Sequence, residues 1–477
     1  MQIPDLNVGI IADDLTGACD TALQFFSPRA KTHVLLNPAH AADAPYADDA
    51  GAPKNQHQEN QVWSINTASR HLPPLEAQGR VRQAVSLCQT HYGVENFYKK
   101  MDSTLRGHIA QECLAILDAL KAQCAVIVPA FPQEGRRTVG GYQLVRGIPV
   151  EKTIVARDPL FPVRQSHLPT LLGQASHPDL VGYVPLSVVL HGAGPILVNL
   201  KELIQDNRKL IVVDATSNED MEQIALAIEK AQNYTRVLPC GSAGLAQAMA
   251  ALWSGSDDNA FRASQVASGP QPSPAVAAIS MASSPILMVN GSNTDITRLQ
   301  MQKLVENYTY YGEGSQLKVF EINADQILGL SPVEDLTQRL LAALAPAGDG
   351  ACNTVLFTTA LQEVSYQRTI ALAREHQVSE TEAAHRAQSI LARLSAEITS
   401  AVNVKLVLMG GETTSAICEA LQVRELEIIS ETEPAIPLLR DRQGRWIVTK
   451  SGGFGTPMAL ANIVKFIKQR ETSVLPA

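Results

Sequence analysis

The sequence predicts an α/β protein of two domains with mainly parallel sheets. Short β-branched runs alternate with segments of helical periodicity, which is typical of parallel α/β layers. The 477 residues exceed what one hydrophobic core usually supports. A stretch rich in Ser, Ala, Pro and Gly interrupts the alternation. We therefore predict domains at 1–254 and 285–477, joined by a linker at 255–284.

The first half begins with a strand at NVGIIA and a helix through DTALQFF. Further strands are predicted at NFYKK, CAVIVPA and KLIVVDA, because each run is short, apolar and bounded by turn residues. The helix after NFYKK has an apolar face made of Ile109, Cys113, Ile116, Leu117 and Leu120. Glycine turns in FPQEGRRTVGGYQLVRGIPV indicate a β-excursion rather than a crossover helix. Polar residues 41–61 are predicted to form a surface insertion.

Three strand–turn–helix junctions follow the linker: ILMVNGSNTDITRLQ, VKLVLMGGETTSAICEAL and RWIVTKSGGFGTPMALANIV. In each, glycine and hydroxyl residues separate an apolar strand from a helix. Such a turn lets backbone N–H groups and a helix N-terminus approach an anion such as phosphate. Neither the Walker nor the Rossmann glycine fingerprint is present. Lys450 either neutralises a phosphate or is a solvated lysine at the end of a strand. Glu412 either binds Mg²⁺ or stabilises the start of its helix as an acidic residue in the first turn.

Charge and cysteine usage exclude several classes of protein. The net charge of −8 argues against nucleic acid or an anionic membrane as the main partner. The seven cysteines are scattered without zinc spacing, which argues against disulfides and structural zinc and favours a cytoplasmic location. The sequence contains no apolar run long enough to span a bilayer.

Polar turns in the first half indicate a binding site for a polyhydroxy acid. Asp13 and Asp14 directly follow the first predicted strand. Arg70 can pair with a carboxylate in bidentate fashion, which lysine cannot do. Carboxylates beside the reacting hydroxyl, Asp14 and Asp102, are candidate proton acceptors. Asp13 has an alternative role, which is to orient the turn or to cap the helix. Asp102 could instead form a structural ion pair with Lys99 or Arg106. Further candidates for binding the acid or its hydroxyls are Lys100, Ser103, Arg136 and Arg137.

At these residues the chain resembles the four-carbon acid sugar kinases. The matching segments are IADDLTGACD, KKMDSTLRG, PAFPQEGRRTVGGYQLVRGIPV, RDP, NGSNT, GGETT and KSGGFG. The resemblance implies an N-terminal sugar-acid-binding domain and a C-terminal ATP-binding domain, with the active site in the cleft between them. It implies substrate contacts from Asp14, Arg70, Lys100, Met101, Asp102 and Ser103. It implies nucleotide contacts from Ser292, Thr359, Gly410, Gly411, Glu412, Thr413 and Gly455.

The resemblance implies an ATP- and Mg²⁺-dependent kinase acting on the terminal (4-)hydroxyl of a tetronate. Relatives associated with oxo-tetronates carry ADDFTGA where this chain has Leu15, which favours D-threonate or D-erythronate. A 3-oxo-tetronate (2-oxo-tetronate) kinase and a non-catalytic sensor of sugar acid and nucleotide are the alternatives. A nicotinamide-dependent dehydrogenase is disfavoured by the missing dinucleotide fingerprint. The Mg²⁺ ligands stay open, and a homodimer is the default expectation.

Overall fold

The computed structural model describes residues 7–27, 30–37, 60–158, 161–254, 283–311, 316–345 and 353–472. The chain divides into two compact units, 1–267 and 268–477. Most of the predicted linker and of the predicted insertion at 41–61 lies outside the described residues, so the domain boundaries stay a prediction. Within the described ranges, no helix is both long and apolar enough to cross a membrane.

In its described residues the first unit contains eleven strands, of which eight form one parallel sheet in the order β2-β3-β1-β4-β11-β5-β10-β9. The strands are β1 (Asn7–Ala12), β2 (Lys31–Leu35), β3 (Gln61–Asn66), β4 (Asn96–Lys100), β5 (Cys124–Val128), β6 (Arg136–Val139), β7 (Tyr142–Val145), β8 (Ile148–Pro149), β9 (Val181–Val184), β10 (Leu210–Val213) and β11 (Val237–Gly241). The helices are α1 (Leu15–Phe25), α2 (Pro74–Tyr92), α3 (Ile109–Leu120), α4 (Leu168–Ala175), α5 (Leu186–Val189), α6 (Ala193–Gln205), α7 (Asn218–Gln232) and α8 (Ala243–Trp253).

The strands and the β-excursion predicted for this unit are present, and one helix begins earlier than predicted. The sheet is parallel, and the segment after β5 folds into the predicted β-excursion, the antiparallel sheet β6-β7-β8. The five residues predicted to line one face of α3 are all buried. Helix α1 begins at Leu15 rather than near Asp20, because the Asp14 side chain caps it by accepting the Gly17 N–H.

Where the structure describes it, the second unit forms a seven-stranded sheet in the order β13-β14-β12-β15-β18-β17-β16. Its first five strands run parallel, and β17 pairs antiparallel with both β18 and β16. The strands are β12 (Ile286–Asn290), β13 (Leu317–Glu321), β14 (Thr354–Thr358), β15 (Lys405–Met409), β16 (Glu425–Glu433), β17 (Ile436–Asp441) and β18 (Trp446–Lys450). The helices are α9 (Asp295–Tyr311), α10 (Ala324–Leu328), α11 (Glu334–Leu344), α12 (Glu363–Glu375), α13 (Glu380–Ala401), α14 (Gly411–Ala420) and α15 (Ala459–Thr472).

Each unit has a hydrophobic core between its sheet and the covering helices. In the first unit, α2 and α3 pack on the sheet through residues such as Val85 and Ile116. In the second unit, Met301 of α9 and Ile463 of α15 pack on Met288 of the central strand. Because the polar residues that follow the strands lie outside these cores, they are left to line the carboxyl edges of the sheets.

Candidate functional site

The carboxyl ends of β3, β1 and β4 meet at one edge of the first sheet. Ala12 is in register with both Asn66 and Lys100, the last residues of the neighbouring strands. The residues that follow these strands are therefore neighbours, although they are far apart in the chain. This edge brings together the predicted substrate residues Asp14, Arg70, Lys100, Met101, Asp102 and Ser103, all of them buried.

Arg70 forms a two-carboxylate clamp with the paired aspartates after β1. Its Nε and Nη2 donate to the two oxygens of Asp13 at 2.9 and 3.1 Å. Its Nη1 and Nη2 lie 3.1 and 2.8 Å from the two oxygens of Asp14. A guanidinium has five N–H donors, so a single N–H remains for another partner. The predicted bidentate bond to a substrate carboxylate therefore requires Arg70 to give up an aspartate.

The Asp13–Arg70 pair remains ionised although it is buried. Burial alone would raise the pKa of Asp13, but Arg70, with Lys99 and Lys100, lowers it below its usual value. The same aspartates raise the pKa of Arg70 against the opposing effect of burial. Asp13 is thus paired with Arg70, and the cap of α1 that the sequence left open for Asp13 is supplied by Asp14.

Lys100 reaches into the space beside the first turn of α1. A Cβ atom built on Gly17 would lie 2.7 Å from the Lys100 Nζ, so the ammonium lies directly against the helix backbone. Within the described part of the chain, Asp20 has the one carboxylate within 4.0 Å of the Lys100 Nζ, and that distance is too long for a hydrogen bond. Burial raises the pKa of Asp20 to about 7, even though Lys100 lowers it. Lys100 is therefore a buried cation with donor capacity to spare.

Asp102 is held in the loop after β4 by its own neighbours. It accepts from the Thr104 hydroxyl at 2.5 Å and from Arg106 Nε at 2.7 Å. Burial would raise the pKa of Asp102, but Arg106 and then Arg70 hold it well below its usual range. The pairing with Arg106 that the sequence left open is therefore present. Ser103 is anchored through its carbonyl, which accepts from the Gln143 side chain at 2.7 Å.

A buried ion pair beneath the site ties the strand ends together. Lys99 Nζ lies 2.6 Å from one Glu112 oxygen, and the Ser69 hydroxyl donates to the other at 2.5 Å. Burial would lower the pKa of Lys99, but Glu112 raises it. Lys99 also donates to the Lys100 carbonyl at 2.8 Å. Glu112 thereby connects the end of β4 to the loop that presents Arg70.

In the second unit the predicted glycine turns also gather at one sheet edge. Asn290, Thr358, Met409 and Lys450 end four adjacent parallel strands and are in register. Asn290 organises the edge: its amide nitrogen donates to the Ser292 carbonyl at 3.1 Å and to Thr358 at 3.0 Å. The Thr359 N–H donates to the Asn290 carbonyl at 3.3 Å. Ser292 and Thr359 are therefore both bonded to Asn290 through their backbones, and their contacts with the nucleotide stay a prediction.

Two glycines allow these loops to pack without side chains between them. Gly410 has a φ of 100°, a conformation that costs residues with a Cβ, and it begins α14 without a side-chain cap. A Cβ on Gly452 would lie 2.2 Å from the Ser292 hydroxyl oxygen. The Gly452 carbonyl accepts from Thr294 and Thr297 at 2.6 and 2.7 Å. The uncapped backbone N–H groups at the start of α14 thus lie next to loops whose close packing requires glycine at these two positions.

The remaining predicted nucleotide residues lie in the same loops. Gly411, Glu412 and Thr413 form the first turn of α14. Gly455 is in the loop after β18, which Gln300 holds by donating to the Phe454 and Thr456 carbonyls at 3.1 and 2.8 Å. Lys450 is buried and donates to the Ser451 carbonyl at 3.0 Å. Helix-terminus amides, hydroxyls and a buried lysine form a donor set suited to phosphate groups.

Sequence reasoning missed several residues of both edges. Asp20, Glu112 and Gln143 lie within predicted helices or strands, where a polar residue gives no local sign of its partner. A buried polar position on the apolar face of α1 was the available signal for Asp20. Asn290 ends a predicted strand with a side chain that would be costly to bury unbonded, which could have identified it. Of the two arginines in PQEGRRT, Arg136 is buried beside Glu134 and Arg137 is exposed.

Comparison with known proteins agrees with a sugar-acid site in the first unit and a phosphate site in the second. Residues 8–249 match the family model of a sugar-binding N-terminal domain, and residues 287–460 that of a nucleotide-binding C-terminal domain. The chain is 30% identical to the D-erythronate kinase of Heliobacterium modesticaldum over 480 residues, covering 97% of each protein. It is 29% identical to the D-threonate kinase of Bordetella bronchiseptica over 470 residues, covering 97% of this chain and 98% of the relative.

A solved structure has the same fold. The crystal structure of a Haemophilus influenzae protein matches with a TM-score of 0.63 and 22% identity, over 97% of this chain and 100% of that protein. The matched domains and the full-length kinase relatives identify the chain as a phosphotransferase that uses ATP. The protein belongs to the four-carbon acid sugar kinase family.

Proposed function

We propose that this kinase transfers the γ-phosphoryl group of ATP to the terminal (4-)hydroxyl of D-threonate or D-erythronate. The observation that carries the proposal is the polar edge of the first unit, which gathers the buried Lys100 ammonium, several carboxylates and the Ser103 side chain. A four-carbon acid offers one carboxylate and several hydroxyls, which need this mixture of donors and acceptors. The names of the full-length relatives support the same acceptor class.

The residues proposed to bind the substrate acid differ in the hydrogen bonds that they can still form. Lys100 has spare donor capacity and is the candidate partner of the substrate carboxylate or of a hydroxyl. Asp14, Asp102 and Ser103 are candidates for binding hydroxyls, and Met101, which is buried, for apolar contact. Arg70 orients Asp13 and Asp14, and its remaining N–H is available to the acid. That Asp14 or Asp102 takes the acceptor proton stays a prediction.

For the nucleotide, we propose that Ser292, Thr359, the turn from Gly410 to Thr413, and Gly455 contact ATP. The uncapped start of α14 supplies N–H groups to phosphate, with Lys450 as a further cation. In the part of the chain described, no three His, Cys, Asp or Glu side chains are grouped to hold a metal ion. This fits Mg²⁺ bound chiefly by nucleotide phosphates, with Glu412 as the candidate protein ligand. Mg²⁺ would neutralise phosphate charge, and the main role of the protein would be to position the acceptor hydroxyl and the γ-phosphoryl group.

A coupled ADP-release assay tests the acceptor. We expect turnover with D-threonate or D-erythronate, and phosphate on the primary carbon of the product by ³¹P NMR. Erythritol, which lacks the carboxylate, is the matched control and should give no turnover. Turnover only with 3-oxo-tetronates would replace the proposed acceptor by the alternative. Binding of tetronate and ATP without any ADP release would contradict the proposal and favour a sensor. The cytoplasmic location and the homodimer stay predictions.

A further inference from the structure

The two carboxylates predicted to accept the proton already accept several hydrogen bonds from the protein. Asp14 accepts from the Thr16 hydroxyl at 2.8 Å and the Gly17 N–H at 3.1 Å, and it pairs twice with Arg70. A carboxylate offers about four acceptor positions. Four donors therefore occupy Asp14.

Asp102 is held chiefly through one oxygen. Its Oδ2 accepts from the Thr104 hydroxyl and from the backbone N–H and Nε of Arg106, at 2.5, 3.3 and 2.7 Å, while its Oδ1 accepts from Arg106 Nη2 at 3.3 Å. To take a proton, Asp14 must first lose a charged hydrogen bond. Its low pKa makes Asp102 a weak base as well.

Asp20 differs from both in its geometry. It lies on α1 with 5% of its surface exposed, and its Oδ1 accepts from the Thr21 hydroxyl at 3.0 Å. Its Oδ2 has no hydrogen bond within the described part of the chain. The Lys100 Nζ lies 4.0 Å from Oδ1. A hydroxyl oxygen can stand about 2.8 Å from both atoms, so a substrate hydroxyl fits between lysine and carboxylate.

The surroundings of Asp20 favour proton acceptance near neutral pH. Burial, together with Asp14 and Asp102, raises its pKa to about 7, whereas Lys100 and Thr21 lower it. The elements packed on α1 add few other titratable groups. Strands β1 and β3 and helix α8 carry none, β2 carries Lys31 and His33, and β4 carries Tyr98 and Lys99. A general base works best with a pKa near the working pH.

We propose that Asp20 is a catalytic residue that binds the reacting hydroxyl together with Lys100 and takes its proton. In the step, the acceptor O–H bond breaks and its proton moves to the Asp20 carboxylate. The oxygen forms a bond to the γ-phosphorus while the bond from that phosphorus to the β–γ bridging oxygen breaks, and ADP leaves. Asp14 and Asp102 then orient the acid. This inference rests on the proposed function, because it needs a hydroxyl acceptor.

The decisive variant is Asp20→Asn, which keeps an acceptor for the Thr21 hydroxyl but removes the base. We expect kcat to fall by about 100-fold or more. The nucleotide Kd should stay within about twofold of the wild-type value. In the wild type, kcat/KM should rise with pH through about 7. In Asp20→Asn this limb should be absent. The same substitution at the exposed Asp118 is the matched control and should change neither quantity. A kcat within about threefold of wild type, or an unchanged limb, would overturn the proposal.

A second measurement works without turnover. ¹³C NMR of aspartate-labelled wild-type protein, with the Asp20 signal assigned by its loss in Asp20→Asn, should show a carboxyl titrating near pH 7. A midpoint near the ordinary aspartate value of about 4 would overturn the proposal whatever the activity. If the wild type phosphorylates no tetronate while this carboxyl titrates near 7, the proposed acceptor is wrong. The role of Asp20 is then decided by its variant with the acceptor that does react.

Discussion

The two units use different chemistry at the same place in the same kind of sheet. The carboxyl edge of the first sheet is built from buried charges, with Arg70 between two aspartates and Lys99 on Glu112. The edge of the second is built from glycines, hydroxyls and backbone amides, with Lys450 as its buried cation. Charged side chains have a direction and a sign, so they can discriminate one small acid from another. Backbone amides and helix termini suit a phosphate chain, whose oxygens are all alike.

The largest expected effect is on stability, and it tests the charged edge. In Arg70→Ala, Asp13 and Asp14 lose their shared partner while remaining buried. We expect the free energy of unfolding to fall by about 3–5 kcal/mol in chemical denaturation. The matched control is Arg82→Ala, whose arginine is exposed and 3.9 Å from Asp118. It should cost less than about 1 kcal/mol. Equal losses in the two variants would show that the clamp does not stabilise the fold.

The next effect separates the two units by ligand. Lys100→Met removes the ammonium but keeps a side chain of similar length. Because the proposed contact is a hydrogen bond from Lys100 to the reacting hydroxyl, affinity for the acid should fall by about 1.5–3 kcal/mol in calorimetry, while nucleotide affinity is unchanged. Lys121→Met, at a side chain that is 83% exposed, is the control. Loss of nucleotide affinity in Lys100→Met would contradict the proposal that the charged edge of the first unit binds the acid and the backbone amides of the second unit bind the phosphates.

A smaller effect is expected at the glycine edge. Gly410→Ala places a Cβ at a φ of 100°, 3.4 Å from the Ser292 backbone nitrogen. The strain of about 1–2 kcal/mol should weaken nucleotide binding by roughly tenfold in a fluorescence titration and leave acid binding unchanged. Gly79→Ala is the control, because a Cβ there meets nothing within 4 Å. Normal nucleotide affinity in Gly410→Ala would remove this turn from the phosphate site.

The last effect is a pH dependence of stability in the charged unit. The folded pKa of Asp20, about 7, lies above its ordinary value of 3.8, so the folded state holds a proton that the unfolded state releases. This contribution is full below pH 4 and is lost as the pH rises through 7. The stability of the wild type relative to Asp20→Asn should therefore decline between about pH 4 and 7. The lowered pKa values of Asp13 and Asp102 make stability rise with pH, but this contribution is present in both proteins and cancels in the difference between them. A difference that grows with pH would contradict the assignment.

Local pattern was enough to predict much of this protein. The short apolar runs predicted the parallel strands, because a strand buried on both faces must be continuously apolar. Residues placed directly after those strands, such as Asp14, Lys100 and Gly410, could be assigned to a sheet edge for the same reason. The glycine and hydroxyl turns predicted anion-binding loops because those residue types determine what the backbone can do locally.

Only the tertiary structure decided which of these residues are partners. The Arg70 clamp joins positions 57 and 56 residues apart, and Glu112 joins Ser69 to Lys99 from a helix face. Asp20 comes near Lys100 because α1 packs over the end of β4, a contact without any local signature. Strand register and helix packing result from burial of the whole core. The sequence by itself therefore determined which groups reach the edge, and the fold decided which are occupied and which remain available for chemistry.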